Sequence, residues 1–255
     1  MPELAPLDLA LLCLAAFGAG VVDAIAGGGG LVTLPALLSV GLPPHLALGT
    51  NKGQSVFGSG AALVAFARAK LVDGRRAKVA FPLGFLGSLA GAVLVLLVEP
   101  TVLRPVVLTL LCAVAVLLTF RPTPKPGTRL AGAAHPLLVG GALALGIGAY
   151  DGFFGPGTGT LLLLGGVWLL GQTMTHASAD AKVVNFASNL AAVVIFSWNG
   201  AILWTIAAPM AVAQFAGGVL GARLAVRGGD RVVRPIVLVV VLALVVRLAW
   251  DTWRG

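Results

Sequence analysis

Two lysines sit in sequence too apolar to carry them as ordinary surface charges: Lys52 in LALGTNKGQSVFGSGAALVAFA and Lys182 in ASADAKVVNFASNLAAVVIF. An ionisable side chain at membrane depth costs roughly 3 kcal/mol on insertion scales, so each is by default a candidate for function. Around them run stripes of hydrogen-bonding side chains, Asn51, Gln54, Ser55 and Ser59 in one case and Asp180, Asn185, Ser188 and Asn189 in the other. On a helix, positions 52, 55 and 59 share a face through their i, i+3, i+7 spacing, and so do 182, 185 and 189. Two aspartates precede glycine runs: Asp23 stands before Gly27-Gly28-Gly29-Gly30, and Asp151 before Gly155-Pro156-Gly157-Thr158-Gly159.

A lysine, short polar side chains and the N-terminus of a short helix converging near the membrane midplane form a positive, donor-rich pocket that suits a small oxyanion. Glycine-loop N–H groups add donors without side-chain bulk. The substrate-binding candidates are Lys52, Lys182, Asn51, Gln54, Ser55, Asn185, Asn189, Gly28, Gly29, Gly157 and Thr158. Asp23 and Asp151 are the coupling candidates: each can neutralise a lysine in the empty protein and, on taking up a proton, release it to the anion. Two static ion pairs holding helices together is the competing reading of the same residues. The glycine runs likewise read either as cavity walls, since unpaired backbone at membrane depth must line protein or water, or as sites of close helix packing.

The constellation occurs twice. An offset of 130 carries Lys52 onto Lys182, Ser55 onto Asn185, Ser59 onto Asn189, Arg104-Pro105 onto Arg234-Pro235, and Gly87-x-x-x-Gly91-Ala92 onto Gly217-x-x-x-Gly221-Ala222. An offset of 128 carries Asp23 onto Asp151. The chain therefore reads as two homologous halves, 1–120 and 136–255, joined by a linker at 121–135. The Gly-x-x-x-Gly pairs read as packing devices, because small residues at that spacing bring helices together.

A mean hydropathy of +1.02 with only 10% charged residues describes an integral membrane protein, since a soluble domain carries about 25% charged residues. Apolar stretches at 7–26, 46–67, 78–98, 105–120, 136–154, 177–198, 203–222 and 235–250 mostly approach the roughly 20 residues a helix needs to cross a bilayer. The alternating ten-residue pattern of a membrane barrel is absent, so the expected class is all-α. Two further stretches, 31–40 and 160–170, are too short to cross and read as half-helices or re-entrant limbs behind glycine breaks. The expected architecture is thus about eight full transmembrane helices plus two short glycine-interrupted segments.

The first stretch ends in small residues like a signal peptide, but its leading MPELAPLD has no Lys or Arg, and it reads as a retained helix. Cys13 and Cys112 lie in apolar stretches without metal-ligand neighbours or CxxC spacing and read as small apolar filler. No metal and no cofactor is called for.

A formal charge of +8 would point to nucleic acid in a soluble protein; here its placement points elsewhere. Twelve of seventeen Lys and Arg fall in three regions, 68–78, 121–129 and 223–234, which the positive-inside rule assigns to the cytoplasm. Counting the short stretches gives five segments per half, and an odd number makes the second half enter from the opposite side. The repeat is therefore expected to be inverted, with both termini outside. Inverted repeats with glycine-interrupted segments at matching positions point to a secondary transporter whose site lies at the repeat interface. The expected partners are membrane lipid, a small anion and protons as coupling ion, with no nucleic acid.

Other readings are weaker. An anion channel would use the same pocket with both gates open. An intramembrane aspartyl protease needs its second aspartate in Gly-x-Gly-Asp and two carboxylates sharing a proton, whereas Asp23 sits in Ala-Gly-Val-Val-Asp and a lysine accompanies each aspartate. His45, His135 and His176 fall at segment edges, which argues against serine hydrolysis.

Val22-Asp23-Ala24-Ile25-Ala26-Gly27-Gly28-Gly29-Gly30, Leu48-Gly49-Thr50-Asn51-Lys52, Tyr150-Asp151-Gly152-Phe153-Phe154-Gly155-Pro156-Gly157-Thr158-Gly159, and Lys182 with Asn185-Phe186-Ala187-Ser188-Asn189 closely resemble the sulfite exporter TauE/SafE family, in its YfcA-like branch of probable membrane transporters. The resemblance covers nearly the whole chain. It implies a multi-pass plasma-membrane permease, not an enzyme, for sulfite, sulfoacetate and related sulfur-containing or organic anions, mostly in the export direction. GGGG in the first half becomes GPGTG in the second, so the two glycine loops need not bind alike.

Overall fold

Proline opens three of the long helices at the position where a missing N–H is harmless, namely α1 (Pro6–Ala26), α3 (Pro44–Arg68) and α5 (Pro136–Phe153). Asp73 caps α4 (Gly74–Leu96), accepting from the N–H of Arg75 at 2.9 Å and of Arg76 at 3.2 Å. Thr173 caps α7 (Met174–Trp198) through the His176 N–H. Between them lie the short α2 (Gly30–Ser39) and α6 (Thr158–Leu170), and α8 (Trp204–Gly228) follows. These helices come from a computed structural model that describes residues 5–103, 105–107, 109, 110, 113 and 135–233. The described residues contain helices and no strand, as expected for an all-α protein. The linker 121–135, all but its last residue, the stretch 235–250, most of 105–120, both Arg-Pro pairs as pairs, and Cys112 lie outside the described residues.

Five helices, α1, α4, α5, α7 and α8, are long and apolar enough to cross a membrane. The count of about eight full crossings is therefore met only in part. With 25 residues, α3 has the length, about 37 Å at 1.5 Å per residue, but its polar stripe lowers its hydropathy. At 10 and 13 residues, α2 and α6 reach only about 15 and 20 Å, short of a 30 Å hydrocarbon core.

The molecule is apolar outside and polar within. Leu7, Leu14, Leu97 and Val212 are largely exposed, whereas Asn51, Gln54, Ser59, Ser88, Ser188 and Gln214 are buried. That distribution fits lipid as the surrounding solvent, because polar groups facing hydrocarbon would lack partners. Trp198 and Trp204 lie exposed at either side of one inter-helix loop, where aromatic residues mark the membrane–water boundary.

At the centre α3 and α7 run antiparallel. α8, α1 and α2 pack about α3, and α4, α5 and α6 about α7. Each half thus gives its fourth helix to the group formed by the first three of the other. The Gly-x-x-x-Gly pairs make this possible. A methyl group at Gly87 or Gly91 would stand 2.2 Å from the Leu145 carbonyl oxygen or 2.0 Å from that of Ala149, on α5. One at Gly217 or Gly221 would stand 2.1 Å from the Phe17 oxygen or 2.4 Å from that of Val21, on α1. The packing reading of these glycines is the one the structure bears out.

Loops gather by charge. His176 Nδ1 lies 3.0 Å from the Leu71 oxygen and Thr175 N–H donates to Asp230 at 2.8 Å, so 69–73, 171–176 and 228–230 share one end. That end carries Arg68, Lys70, Arg75, Arg76, Lys78, Arg223, Arg227 and Arg231. At the other end His45 Nε2 lies 3.0 Å from the Val95 oxygen and Leu203 N–H donates to Thr50. Its described segments 40–49, 96–103 and 199–204 hold no Lys or Arg.

Two outcomes follow. Gly91→Ala drives a methyl into a backbone oxygen that cannot yield, and should lower stability in detergent by at least about 1–3 kcal/mol, read as a shift in the unfolding midpoint. Gly74→Cys, at the basic end, should resist impermeant thiol reagents in intact cells while Asn199→Cys is labelled from outside; the reverse pattern would invert the assigned orientation.

Candidate functional site

Each lysine stands eight residues into its helix (52 − 44 on α3, 182 − 174 on α7), roughly 12 Å from opposite ends of an antiparallel pair. Neither reaches water: Lys52 is 2% exposed and Lys182 1%. Both are ion-paired, and the pairs are crossed between halves. Lys52 Nζ donates to Asp151 Oδ1 at 2.7 Å, and Lys182 Nζ to Asp23 Oδ2 at 2.9 Å. The aspartates are brought in by the last turns of α1 and α5, just before the chain breaks at glycine.

Those breaks are built for close approach. Gly27, Gly28, Gly155 and Gly157 have φ of 74°, 98°, 99° and 85°, a region L side chains rarely adopt. The two breaks touch: a methyl at Gly27 would stand 2.2 Å from the Gly159 carbonyl carbon and the Thr160 nitrogen. At Gly155 it would lie 2.8 Å from Lys52 Nζ, and at Gly159 3.4 Å from Lys182 Nζ. Each pair thus lies against bare backbone. Side chains satisfy the helix ends left open inside the membrane: Ser178 Oγ donates to the oxygens of Ala24 and Ile25, Thr160 Oγ1 to that of Ala26, and Tyr150 OH to that of Pro156.

A small, mainly polar cavity lies between the breaks and the two central helices. Of the residues proposed from sequence, Lys52, Asn51, Ser55, Asn185, Asn189, Gly28, Gly157, Thr158, Asp23 and Asp151 line it. Three do not. Lys182 lies behind the wall, its ammonium covered by Asp23 and by the backbone at Gly159. Gln54 stands behind the wall and donates to Asn51 Oδ1 at 3.1 Å, an oxygen that also accepts from Thr33 Oγ1 at 2.5 Å. Gly29 turns its N–H to Asp23 Oδ1 at 3.3 Å. Ser59 bonds back to its own helix, at the oxygens of Ser55 and Val56. Asp180 lies in α7. It binds at the basic end, where Gln172 Nε2, Arg76 Nη1 and the Asp73 N–H donate to it at 2.5, 3.2 and 3.0 Å.

Sequence reading missed Gln214, which lines the cavity from α8 and is 1% exposed. Its signal was available, as the one amide in the apolar run 203–222. Gly30, Gly155 and Gly159 complete the wall. Among the described residues no group of His, Cys, Asp and Glu is placed to hold a metal.

Chemically the site offers the Lys52 ammonium in its wall, that of Lys182 behind Asp23, amide side chains, and the positive ends of α2 and α6. An anion is what such a site attracts, provided a carboxylate gives way.

Comparison with known proteins finds similarity to membrane transporters along nearly the whole chain. The sequence pattern of the family described as "Sulfite exporter TauE/SafE" matches residues 12–248. A "Probable membrane transporter protein ORF9" of Sinorhizobium sp is 39% identical over 251 residues, covering 98% of this chain and 96% of that protein. "Probable membrane transporter protein YfcA" of Escherichia coli (strain K12) is 37% identical over 252 residues, 97% of this chain and 91% of that one. A "Probable membrane transporter protein" of Haemophilus influenzae is 37% identical over 243 residues, 95% of each. No solved structure matches.

Removing one member of a buried pair strands the other, at a cost of about 3–5 kcal/mol. Lys52→Met should therefore unfold at markedly lower denaturant than the wild type, and adding Asp151→Asn should recover most of the loss, measured by unfolding in detergent.

Proposed function

The chain belongs to the sulfite exporter TauE/SafE family, a multi-pass membrane transporter rather than an enzyme, and on that premise we propose that it carries a small oxyanion through the cavity between its two halves. The observation that carries the proposal is that Lys52 and both aspartates line one polar cavity together with the N-termini of two half-length helices, with Lys182 held directly behind that wall by Asp23. The substrate class is a sulfur-containing oxyanion, organosulfonate or small organic acid, moved outward across the plasma membrane. Sulfite is in the name of the family and is the first anion to try.

The halves act as an inverted repeat. Recurrence of four helices in the same order, the antiparallel α3 and α7, and the basic end formed from different loops of the two halves support that relation. In alternating access the two groups of helices rock about the cavity, exposing it to one side at a time. Anion and carboxylate compete for the same ammonium group. Protonation of an aspartate removes the competitor and favours loading, which would tie anion movement to the proton gradient. A permanently open passage would be a channel, and kinetics separate the two.

The test is uptake of labelled sulfite by vesicles holding the purified full chain. Uptake should saturate, show counterflow with sulfite inside, and change rate when a pH gradient is imposed. Unsaturable flux without counterflow would make the protein a channel, and no flux of sulfite, sulfate, thiosulfate, sulfoacetate or small carboxylates would sink the transport reading.

A further inference from the structure

The two ion pairs occupy equivalent positions but unequal surroundings. Asp151 is nearly closed off, its side chain 4% exposed, and three side chains hold it: Lys52, Thr158 Oγ1 at 2.8 Å to Oδ1, and Ser188 Oγ to Oδ2. Asp23 is 16% exposed and has one side-chain partner, Lys182, with a long 3.3 Å bond from the Gly29 N–H. The difference is written in the repeat. Ser188 corresponds to Gly58 (188 − 130) and Thr158 to Gly30 (158 − 128), so neither hydroxyl that fastens Asp151 has a counterpart at Asp23.

Gln214 fills the space left at Gly58. A methyl there would stand 2.6 Å from its Cγ and 3.1 Å from its Nε2, and one at Gly20, three residues before Asp23, 3.1 Å from the same Cγ. Its own counterpart in the repeat is Gly84 (214 − 130), so this amide too exists on one side only. Two buried amide oxygens on the cavity wall have no hydrogen-bond partner, Gln214 Oε1 and Asn185 Oδ1. A buried amide left half-used is an exception that asks for a ligand. Either amide can rotate to offer two N–H donors, which an anion accepts.

Resting on the transport reading above, we infer that the pairs divide the work: Lys182–Asp23 is the pair that opens, uncovering the Lys182 ammonium behind Asp23 to an anion seated on Asn185 and Gln214 in the cavity wall, while Lys52–Asp151 stays closed and fastens the halves. Gln214 is thereby assigned as a substrate-binding residue that sets how the anion is held. Asp23 yields more readily because breaking its contact costs one side-chain partner rather than three, and because its exposed edge already faces the cavity.

Sulfite binding to the purified full chain in detergent, by calorimetry, tests the division. Asp23→Asn removes the competing carboxylate and should bind sulfite about tenfold more tightly than wild type, while Gln214→Met, of similar size without donors, should bind about tenfold more weakly. Asp151→Asn should not tighten binding but should lower the unfolding temperature. If that variant does not fold, the Lys52→Met, Asp151→Asn double exchange strands no charge and should bind sulfite no more tightly than wild type and no more than about tenfold more weakly. Tighter binding by either Asp151 variant, loss of binding in the double exchange, or unchanged affinity in Gln214→Met overturns the assignment, even where wild-type vesicles transport sulfite and the transport reading stands. A wild type that neither binds nor transports sulfite overturns both.

Discussion

Everything in this fold follows from having to bury two ammonium groups where water cannot reach them. A charge taken into low dielectric is tolerable only beside a counter-charge with its remaining lone pairs satisfied. Here neither half supplies its own: Lys52 meets Asp151, and Lys182 meets Asp23. Because the partners are crossed, each half alone would strand a charge, and the pairs can close only when the halves interlock. The exchange of fourth helices provides that interlock, and glycine at 87, 91, 217 and 221 removes the side chains that would hold the exchanged helices apart. Charge burial and small-residue packing are therefore one design requirement, met in two places.

The broken helices answer a related constraint. Ending a helix inside a membrane frees carbonyls at one break and N–H groups at the next, and hydrocarbon offers no substitute partner. The carbonyls of Ala24, Ile25, Ala26 and Pro156 are taken by Ser178, Thr160 and Tyr150, contributed in part from the opposite half. At the starts of α2 and α6 the N–H groups of Leu31, Val32 and Thr158 donate to the oxygens of Gly28, Gly29 and Gly155, and that of Gly29 turns to Asp23. What looks like damaged secondary structure is a local repair: the carbonyls are taken by side chains, and the N–H groups by the preceding turn and by Asp23.

Much of this was legible before any fold was known, because the costs are local. A lysine in an apolar run, a glycine run before a ten-residue apolar stretch, and Gly-x-x-x-Gly each announce themselves in a few residues, and each stands where that signal puts it. The partner of each charge did not, since helical periodicity says which face a residue occupies and nothing about which helix faces it. Gln54 and Ser59 share the polar stripe yet bond to Asn51 and to their own helix, because a face wider than the cavity has members that cannot reach it. Asp180, in the polar stripe of α7, is likewise turned away from the cavity, because Gln172, Arg76 and the Asp73 N–H hold it at the basic end. Gln214 escaped notice because it has no counterpart in the other half, and a search guided by recurrence passes over what occurs once.

The same asymmetry appears at the two ends of the bundle. The side-chain oxygen of Thr50 accepts from the Leu203 N–H at 3.1 Å, and at the positions the 130-residue offset exchanges for these, 180 for 50 and 73 for 203, the side chain of Asp180 accepts from the Asp73 N–H at 3.0 Å. The geometry is one contact used twice, tying the start of a central helix to the loop beside it. At the basic end, however, the acceptor is a carboxylate that also holds Arg76 and Gln172, whereas at the other it is a lone hydroxyl. A partly exposed ion pair such as Arg76–Asp180 adds about 0–1 kcal/mol. Positions related by the 130-residue offset thus make the same contact, and single substitutions leave one of the two more strongly held than the other.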